Sequence, residues 1–488
     1  MDFILRQPQR KQKTAVSAAL IGLLAGLFAA FGGLILAYGG PIGGLAVALA
    51  ALAAAVVLHN MEVGFWGVIG IVCLLPFATL PIDVGLTPTF LDLALGAVAG
   101  IWLLRLVTGR QRSIVASPLT VPLVVFIVVA VFSFIFGLGN GPLTPTLLRR
   151  FAELLLSLGF VLVVVDYCRG WDRIERLVKV LILAGAAAAF IGIVFWLMPD
   201  DLANTLLNAL QRVGYPGGWV IRYIEENPDL AERAIGTSVD PNSFGGLLLL
   251  IGAVAAPQAV TREPLLPRWV VLGALGLVMG ALVLTFSRGA MVGLAAGLAF
   301  VAALRYRRLI PYLLVLGALF LLLPIAQDYV ARFVAGIQGQ DLATQMRFGE
   351  YADALKLMGR YPLFGVGFSG SPDIDLYLGV ANVYLTIGQQ MGILGLLAFF
   401  ALVGTLLVYA MANRAYFRTH PRQDALWLGL HAAVIGGLVA GIFDHYLFNT
   451  EFHHAVTIFW FIVGMGAAAT RLGSEAKEGQ SRGKGVPE

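Results

Sequence analysis

Three arginines occupy positions where a charge needs a ligand or a partner. Arg288 lies in LTFSRGAM, between two apolar runs that leave no room for a loop. Arg233 lies in ERAIGTSVDPNSFGG, just before another apolar run, and Arg347 lies in MRFGEY. A guanidinium group binds phosphate or carboxylate at two points, whereas a lysine ammonium group offers only a point charge. These arginines therefore indicate a site for a phosphate or carboxylate ligand.

The elements that must position these arginines are membrane helices. Of the 488 residues, 59% are hydrophobic and 12% are charged, and the charged share is about half that of a soluble domain. Apolar runs of about 20 residues recur along the chain, and each is long enough to cross a bilayer as a helix. The sequence predicts an all-α, polytopic integral membrane protein with about 12 to 14 transmembrane helices.

The predicted membrane domain comprises residues 1–470, followed by a disordered cytoplasmic tail at 471–488. Its candidate spans are 15–37, 41–59, 63–81, 90–108, 118–138, 147–167, 175–198, 241–260, 268–286, 288–304, 309–325, 380–411, 425–447 and 452–470. The 380–411 stretch is long enough for one tilted helix or for a helix with an interfacial extension.

Charge distribution predicts the orientation of the chain. With the N-terminus in the cytoplasm, 23 of the 33 Lys and Arg residues fall in inner loops or the tail, as expected for cytoplasmic segments. Both termini are therefore predicted to be cytoplasmic, in the cytoplasmic (inner) membrane of a cell. The long segments 199–240 and 326–379 then lie outside. Both contain apolar residues at three- and four-residue spacing, which predicts short helices at the membrane surface.

Ten cations fall on the predicted outer side, and nine of them are arginine. Pairing with loop acids or lipid headgroups is favoured for Arg212, Arg222, Arg332 and Arg360, whereas ligand binding is favoured for Arg288 and Arg233. For Arg347 both interpretations stay open. The ten are Arg149, Arg150, Arg212, Arg222, Arg233, Arg288, Arg332, Arg347, Lys356 and Arg360.

Three ordered stretches resemble the O-antigen ligase/polymerase superfamily of bacterial envelope glycan enzymes. The first is Arg233–Gly236 followed by Asp240, Pro241 and Asn242, and the second is the turn Thr285–Gly289. The third is Arg347, then YPLFGVGF, then NVYLTIGQQMGILGLLAF. The resemblance extends over about residues 230–410.

This resemblance implies transfer of a glycan from undecaprenyl diphosphate at the outer face of the membrane, without a metal or another cofactor. A polysaccharide polymerase is favoured, and a ligase with a lipid or protein acceptor is the alternative. The implied partners are the lipid-linked oligosaccharide, a glycan acceptor, the bilayer, a flippase and a chain-length regulator, with no nucleic acid. The implied catalytic residues are Arg288, Arg233 and Arg347, and the implied substrate-binding residues are Asp240, Asn242, Ser287, Asn382 and Tyr384.

One position departs from the ligase pattern. Ligases of this superfamily usually carry a histidine just before the Asn-x-Tyr-Leu stretch, and Ala381 stands there in this chain. Alanine cannot accept a proton, so the departure favours a polymerase or a divergent transferase. Replacement bases are expected among Asp444, His445, His453 and His454 in DHYLFNTEFHH, with Asp240 and Glu350 as further candidates. The histidine spacing fits no common zinc site, and we predict no metal.

Two functions of other classes remain as alternatives. Some members of the superfamily have been proposed to move inorganic carbon, so a solute transporter is one of them. A transporter usually buries ionisable groups near the middle of the membrane, whereas the predicted span centres here are nearly free of charge. A flippase for a lipid-linked glycan would need a cationic cavity that reaches both sides, whereas the inner halves of the predicted spans are poor in charge. The charge pattern therefore favours the enzyme over both the transporter and the flippase.

Overall fold

The computed structural model describes residues 55–80, 87–111, 113–311, 342–370 and 379–483, together with isolated positions elsewhere. Within these ranges the structure is all-α apart from one short hairpin, as predicted. The helices are α1 (Met61–Leu74), α2 (Phe90–Val107), α3 (Thr120–Gly137), α4 (Pro145–Tyr167), α5 (Trp171–Leu197), α6 (Asp200–Ala209), α7 (Pro241–Val260), α8 (Arg268–Leu284), α9 (Arg288–Leu304), α10 (Leu342–Arg360), α11 (Val383–Ala412), α12 (Pro421–Ala440) and α13 (His453–Gly483).

Seven of the described helices are long and apolar enough to cross a membrane, namely α2, α3, α5, α7, α11, α12 and α13. The helices α1, α8 and α9 are shorter apolar helices, and α4 has 23 residues but carries four charged side chains. This architecture is that of a polytopic membrane protein.

Eleven of the fourteen predicted spans fall on described residues, and a helix is present at each of them. The predicted spans 15–37 and 309–325 lie outside the described residues, apart from isolated positions, and so does most of 41–59. Hydropathy therefore predicted a helix correctly at each candidate span that falls on described residues.

Three helices form the centre of the bundle. In their most apolar stretches, 83% of the residues of α7, 78% of those of α12 and all of those of α13 are buried, against 22% for α2 and 33% for α3. A helix that is apolar all round and buried belongs to the interior, whereas an apolar helix with exposed residues faces lipid. The central helices therefore carry the site residues on a support that lipid does not reach.

The two ends of the bundle differ in charge. We call the end with the first residues of α7, α9 and α11 the site end, and the opposite end the basic end. At the basic end, Arg414 binds Asp424, and Nε of Arg305 lies 3.2 Å from Oδ2 of the same acid. A cavity of about 880 Å³ lies there, and its lining includes Arg262, Arg268, Arg305, Arg307 and Arg308. The site end is thus opposite an arginine-rich surface.

The first predicted outer loop contains a surface helix and an unpredicted hairpin. Helix α6 follows α5 directly, and the strands β1 (Arg222–Tyr223) and β2 (Glu232–Arg233) pair antiparallel, with Arg222 opposite Arg233. Two-residue strands give too weak a pattern to be detected by alternation. The hairpin matters because β2 ends at one of the three key arginines.

The second predicted outer loop contains the amphipathic helix α10. Its side chains Ala354 and Leu357 are buried, whereas Met346, Phe348 and Leu355 are exposed. Exposed apolar residues at this end of the bundle fit the predicted helix at a membrane surface. Residues 326–341 and 371–378 of this loop lie outside the described residues, and Arg332 is among them.

The long predicted span 380–411 is a helix broken at one glycine. Gly392 has φ 64° and ψ −164°, so α11 is interrupted there. The segment YPLFGVGF fills the break: the amide of Ile393 donates to Pro362 at 2.8 Å, and that of Val366 donates to Gln389 at 2.9 Å. Backbone groups freed inside an apolar environment need such partners. The break therefore fixes the segment that follows α10.

The predicted disordered tail is wrong over residues 471–483. Helix α13 continues past residue 470 to Gly483. Arg471 donates to the carbonyl of Cys168 at 2.8 Å and to Glu475, four residues on, at 2.8 Å. These contacts, with an Ala- and Glu-containing sequence, support further helical turns.

We expect the Gly365→Ala protein to be less stable than wild type by roughly 1–3 kcal/mol or more, because a side chain there is strained. Gly365 has φ +68°, and an added Cβ would lie 2.5 Å from the Gln389 carbonyl oxygen. Thermal unfolding of the purified protein in detergent measures this. Gly359→Ala is the control, since an added Cβ meets nothing within 4 Å. Equal melting temperatures for Gly365→Ala and wild type would contradict the contact.

Candidate active site at one end of the bundle

Arg233 joins the first two of the three stretches that the sequence singled out. Its Nε donates to the carbonyl of Thr285 at 2.8 Å, and a terminal nitrogen donates to Oδ1 of Asn242 at 2.7 Å. The next amide, of Ala234, donates to the carbonyl of Leu284 at 2.8 Å. Strand β2, the start of α7 and the end of α8 are therefore held together by one side chain and its neighbour.

The turn between α8 and α9 is as tight as its sequence predicts. Phe286 has φ +53°, and the amide of Ser287 donates to the Thr285 hydroxyl at 3.1 Å. Arg288, half-buried, is the first residue of α9. The amino end of a helix carries unpaired N–H groups and a partial positive charge. The guanidinium group and the helix end together make this turn suitable for an anion.

Asp240 caps the amino end of α7 beside Arg233. One of its carboxylate oxygens accepts the amide of Ser243 at 2.6 Å. Loss of hydration raises the pKa of Asp240, as does the nearby charge of Asp444, while the Ser243 bond and Arg233 oppose the rise. Two acids from distant parts of the chain therefore interact electrostatically here.

The loop between α12 and α13 brings Asp444 and two neighbouring residues to the same place. Asp444 accepts the amide of His445 at 2.7 Å, and its Oδ1 lies 3.4 Å from Nδ1 of the half-exposed imidazole. The ring of Tyr446 packs on Gly246, where an added Cβ would lie 2.1 Å from it. Burial and the charges of Asp444 and Asp240 raise the pKa of Tyr446 well above its usual range. Tyr446 was not among the predicted site residues, although its place between the histidines of DHYLFNTEFHH was the available signal.

Helix α10 places an acid beside Ala381, which stands where ligases of the superfamily carry a histidine. Oε2 of Glu350 accepts the amide of Ala381 at 3.1 Å. The hydroxyl of the next residue, Tyr351, lies 3.4 Å from the Ala381 carbonyl, and Asn382 donates to the carbonyl of Ile442 at 2.9 Å. The first turn of α11 is therefore tied to both α10 and the Asp444 loop.

Arg347 belongs to the same group of charges. Burial raises the pKa of Tyr351, while the positive charge of Arg347 opposes that rise and the negative charges of Glu350 and Asp444 add to it. Arg347, Glu350, Tyr351 and Asp444 therefore interact electrostatically around the first turn of α11. Asp444 also acts on Asp240, so it links this group to the Arg233 group.

Four predicted site residues lie inside the bundle. The Tyr384 hydroxyl donates to the carbonyl of Leu438 at 2.7 Å, and Ser287 is buried against Gly245 of α7. His454 is buried with Nε2 2.9 Å from the Ser243 hydroxyl, and His453 is buried beside Asp92. These four residues support the site, whereas Asp444 and His445 are partly exposed in it.

Several other predicted outer arginines pair with acids. Arg149 lies 3.1 Å from Glu153, Arg150 lies 2.8 Å from Glu451, and Arg222 lies 3.3 Å from Glu226. Such pairing is the usual state of exposed arginines. The pairing of Arg222 with Glu226 agrees with the prediction that Arg222 pairs with a loop acid.

Residues 272–400 match the protein family described as O-antigen ligase. The resemblance to the O-antigen ligase/polymerase superfamily is confirmed. The matched range contains the 285–288 turn, Arg347, Glu350 and Asn382, whereas Arg233, Asp240 and Asp444 reach the site from outside it. None of the curated proteins compared with the chain matches it. The match supports a ligase- or polymerase-type membrane enzyme, and the family implies a lipid-linked glycan substrate.

We expect Asp444→Asn to lower the pKa of Asp240, because it removes a repelling charge. A raised folded-state pKa of an acid gives stability that is complete below the unfolded value, about 3.9, and is lost as pH rises through the folded value. As the pH rises from about 4 to about 7, the melting temperature of the Asp444→Asn protein should therefore fall less than that of wild type. Asp229→Asn, at an exposed position, is the control. Parallel pH curves for Asp444→Asn and wild type would contradict the coupling.

Proposed function

We propose that this protein polymerises a glycan carried on undecaprenyl diphosphate at the outer face of the cytoplasmic membrane. One observation carries the proposal. Three segments that are far apart in sequence converge around Asp444 at the site end of the bundle, namely Arg233, the Arg288 turn and the Asn382 stretch. Arginines and acids at one place suit a reaction in which a diphosphate leaves and a hydroxyl loses its proton.

The proposed orientation places the site end outside and both termini in the cytoplasm. Its support is the distribution of arginine between the ends of the bundle. The basic end gathers Arg262, Arg268, Arg305, Arg307 and Arg308 around one cavity, as a cytoplasmic surface requires. A flippase that delivers the lipid-linked oligosaccharide and a chain-length regulator are the protein partners expected for this orientation.

In the proposed reaction, the acceptor hydroxyl attacks the anomeric carbon of the donor sugar. The bond from that carbon to the phosphate oxygen breaks, and undecaprenyl diphosphate leaves with an additional negative charge. Arg288 at the amino end of α9 stabilises this charge together with the helix end. Arg233 donates to the Thr285 carbonyl and to Asn242, which holds its guanidinium group beside the Arg288 turn, and it is proposed as a second contact to the diphosphate. Arg347 is proposed as a third contact.

Glu350 is the base that we propose for the acceptor hydroxyl. Ala381 cannot take a proton, and the Glu350 carboxylate already binds the backbone of that residue at 3.1 Å. Asp444 and His445 belong to the loop whose Ile442 carbonyl accepts a hydrogen bond from Asn382, and they can orient the acceptor. Asp240, Asn242 and Asn382 line the same end and are proposed to bind substrate hydroxyls, whereas Ser287 and Tyr384 support the backbone around them.

A ligase remains the second candidate, because the matched family is described as O-antigen ligase. A transporter has less support. Among the described residues, His431 is a buried ionisable residue at the middle of α12, and it bonds to the Trp427 carbonyl at 2.7 Å and approaches Thr470 at 3.4 Å. Trp427 belongs to the same helix, whereas Thr470 belongs to α13, so the contact with Thr470 joins two neighbouring helices and His431 has a packing role.

We expect Arg288→Ala to lower glycan assembly by at least about 100-fold, because a charge that stabilises the leaving group is lost. The measurement is the surface glycan profile of a deletion strain complemented with each variant. Arg222→Ala is the control, since Arg222 is exposed and paired with Glu226.

Deletion should leave single repeats without long chains if the protein is a polymerase. Free polymer that is no longer joined to its anchor would indicate the ligase, and an unchanged glycan with altered bicarbonate uptake would indicate a transporter. Normal chain length with Arg288→Ala, at wild-type amounts in the membrane, would refute the mechanism.

We expect Glu350→Gln to lower the transfer rate by about 100-fold without loss of the fold, because the amide oxygen can still accept the Ala381 amide. Adding Ala381→His should restore part of the rate, since an imidazole then stands at the same place. Asp353→Asn, one turn further along α10, is the matched control. A wild-type rate with Glu350→Gln would remove Glu350 from the mechanism.

A further inference from the structure

We propose that Asp92, Glu153 and His453 bind one divalent transition-metal ion at the site end, apart from the transfer site. Each residue offers one ligand atom, and these atoms lie within 4.8 Å of one another. The three come from α2, α4 and α13, so they lie far apart in sequence. Sequence spacing, which predicted no metal, could not bring them together.

Unpaired polar atoms mark the position of the ligand. Oδ1 of Asp92 and both ring nitrogens of His453 are buried and make no hydrogen bond. The His453 residue is 8% exposed and Glu153 is 5% exposed. A buried polar atom without a partner is unfavourable, so three in one place indicate a missing ligand.

The two carboxylates are oriented in the same way. Each has one oxygen near Arg149: Oδ2 of Asp92 at 3.9 Å and Oε1 of Glu153 at 3.1 Å. The other oxygen of each faces Nδ1 of His453, with Oδ1 of Asp92 at 3.4 Å and Oε2 of Glu153 at 4.0 Å. One oxygen per acid therefore points with the imidazole toward a shared position.

The separations fit ligands of one ion. Zinc bonds to nitrogen and oxygen ligands are about 2.1 Å long, so two ligands of a tetrahedral ion lie about 3.4 Å apart. Asp92 and His453 are already at 3.4 Å, and they lack the geometry of a hydrogen bond to each other. A small approach of Glu153 completes a three-ligand set with an open fourth position.

The charges and donor types select a divalent transition metal. Two carboxylates and one imidazole meet at a largely buried position, and carboxylates attract a cation. An imidazole nitrogen with two carboxylate oxygens suits Zn²⁺ or Mn²⁺ and suits Mg²⁺ or Ca²⁺ less well. A divalent ion would bond to the unpaired Oδ1 of Asp92 and to a ring nitrogen of His453.

Neighbouring groups hold the ligands and leave a way in. Asp92 forms a reciprocal cap with Thr89, whose amide donates to Oδ2 at 2.8 Å. Arg149 donates to the carbonyl of Thr87 at 3.1 Å. Fixed neighbours of this kind orient metal ligands. The side chains of Asp92 and Arg149 are 17% and 26% exposed, so an ion can enter from the site end.

A metal here would fasten the loop that carries Asp444. His453 is the first residue of α13, directly after that loop. An ion shared with α2 and α4 would fix the loop's end to the first half of the bundle. The inference is independent of the proposed reaction, since it concerns binding and not transfer.

Metal binding by the purified full-length protein tests the proposal. The protein in detergent is treated with EDTA, dialysed against Zn²⁺, and analysed for metal by mass spectrometry. We expect one zinc per chain, with affinity lowered at least about tenfold by Asp92→Asn, Glu153→Gln or His453→Ala. Glu451→Gln and His59→Ala are the matched controls and should bind as wild type. Mn²⁺ that displaces the zinc also supports the site.

Two measurements on the unchanged protein cover variants that fail to fold. Bound Co²⁺ should give visible absorption of a nitrogen- and oxygen-ligated ion without a thiolate band, and Zn²⁺ should raise the melting temperature. Absence of bound zinc in wild type would overturn the proposal. Equal affinity in wild type and in the folded ligand variants would overturn it as well.

Discussion

Backbone hydrogen-bonding groups must find partners wherever a helix ends or breaks in apolar surroundings, and the site end depends on this constraint. Arg233 donates a hydrogen bond to the Thr285 carbonyl at the end of α8. The segment after α10 forms hydrogen bonds with the backbone groups that are freed at the break in α11. Asn382 satisfies the carbonyl of Ile442 in the loop after α12. The polar side chains that meet these needs are therefore gathered in one place. The same gathering supplies the charges from which an active site can be built.

Much of this arrangement could be predicted from hydropathy and charge. Apolar runs located each described span, and the turn at Arg288 followed from two runs with no residues to spare between them. Arg233, Arg288 and Arg347 stood out because a charge beside an apolar run is costly. These signals are local in sequence, so a single sequence was sufficient to detect them.

Other features depend on contacts between distant segments and left no local signal. Nothing in the sequence places Asp444 near Asp240, or the Glu350 carboxylate on the amide of Ala381. Gly365 is needed because its backbone approaches that of Gln389 at the break in α11, and Gly367 is needed because it approaches the backbone of Gly137 in α3. The tail was predicted wrongly because Arg471 finds a partner in Cys168, three hundred residues earlier.

The contact between α9 and α12 has a consequence for how the sequence can vary. An added Cβ at Gly293 would lie 2.5 Å from the Gly436 carbonyl oxygen, and one at Gly297 would lie 2.6 Å from that of Ala432. These helices meet through their main chains; α9 begins at Arg288, and α12 ends just before the loop that carries Asp444. The spacing of the two charged residues thus depends on the absence of side chains along the seam. Lipid-facing positions can drift through evolution without altering it, whereas a single methyl group at the seam would push the two apart.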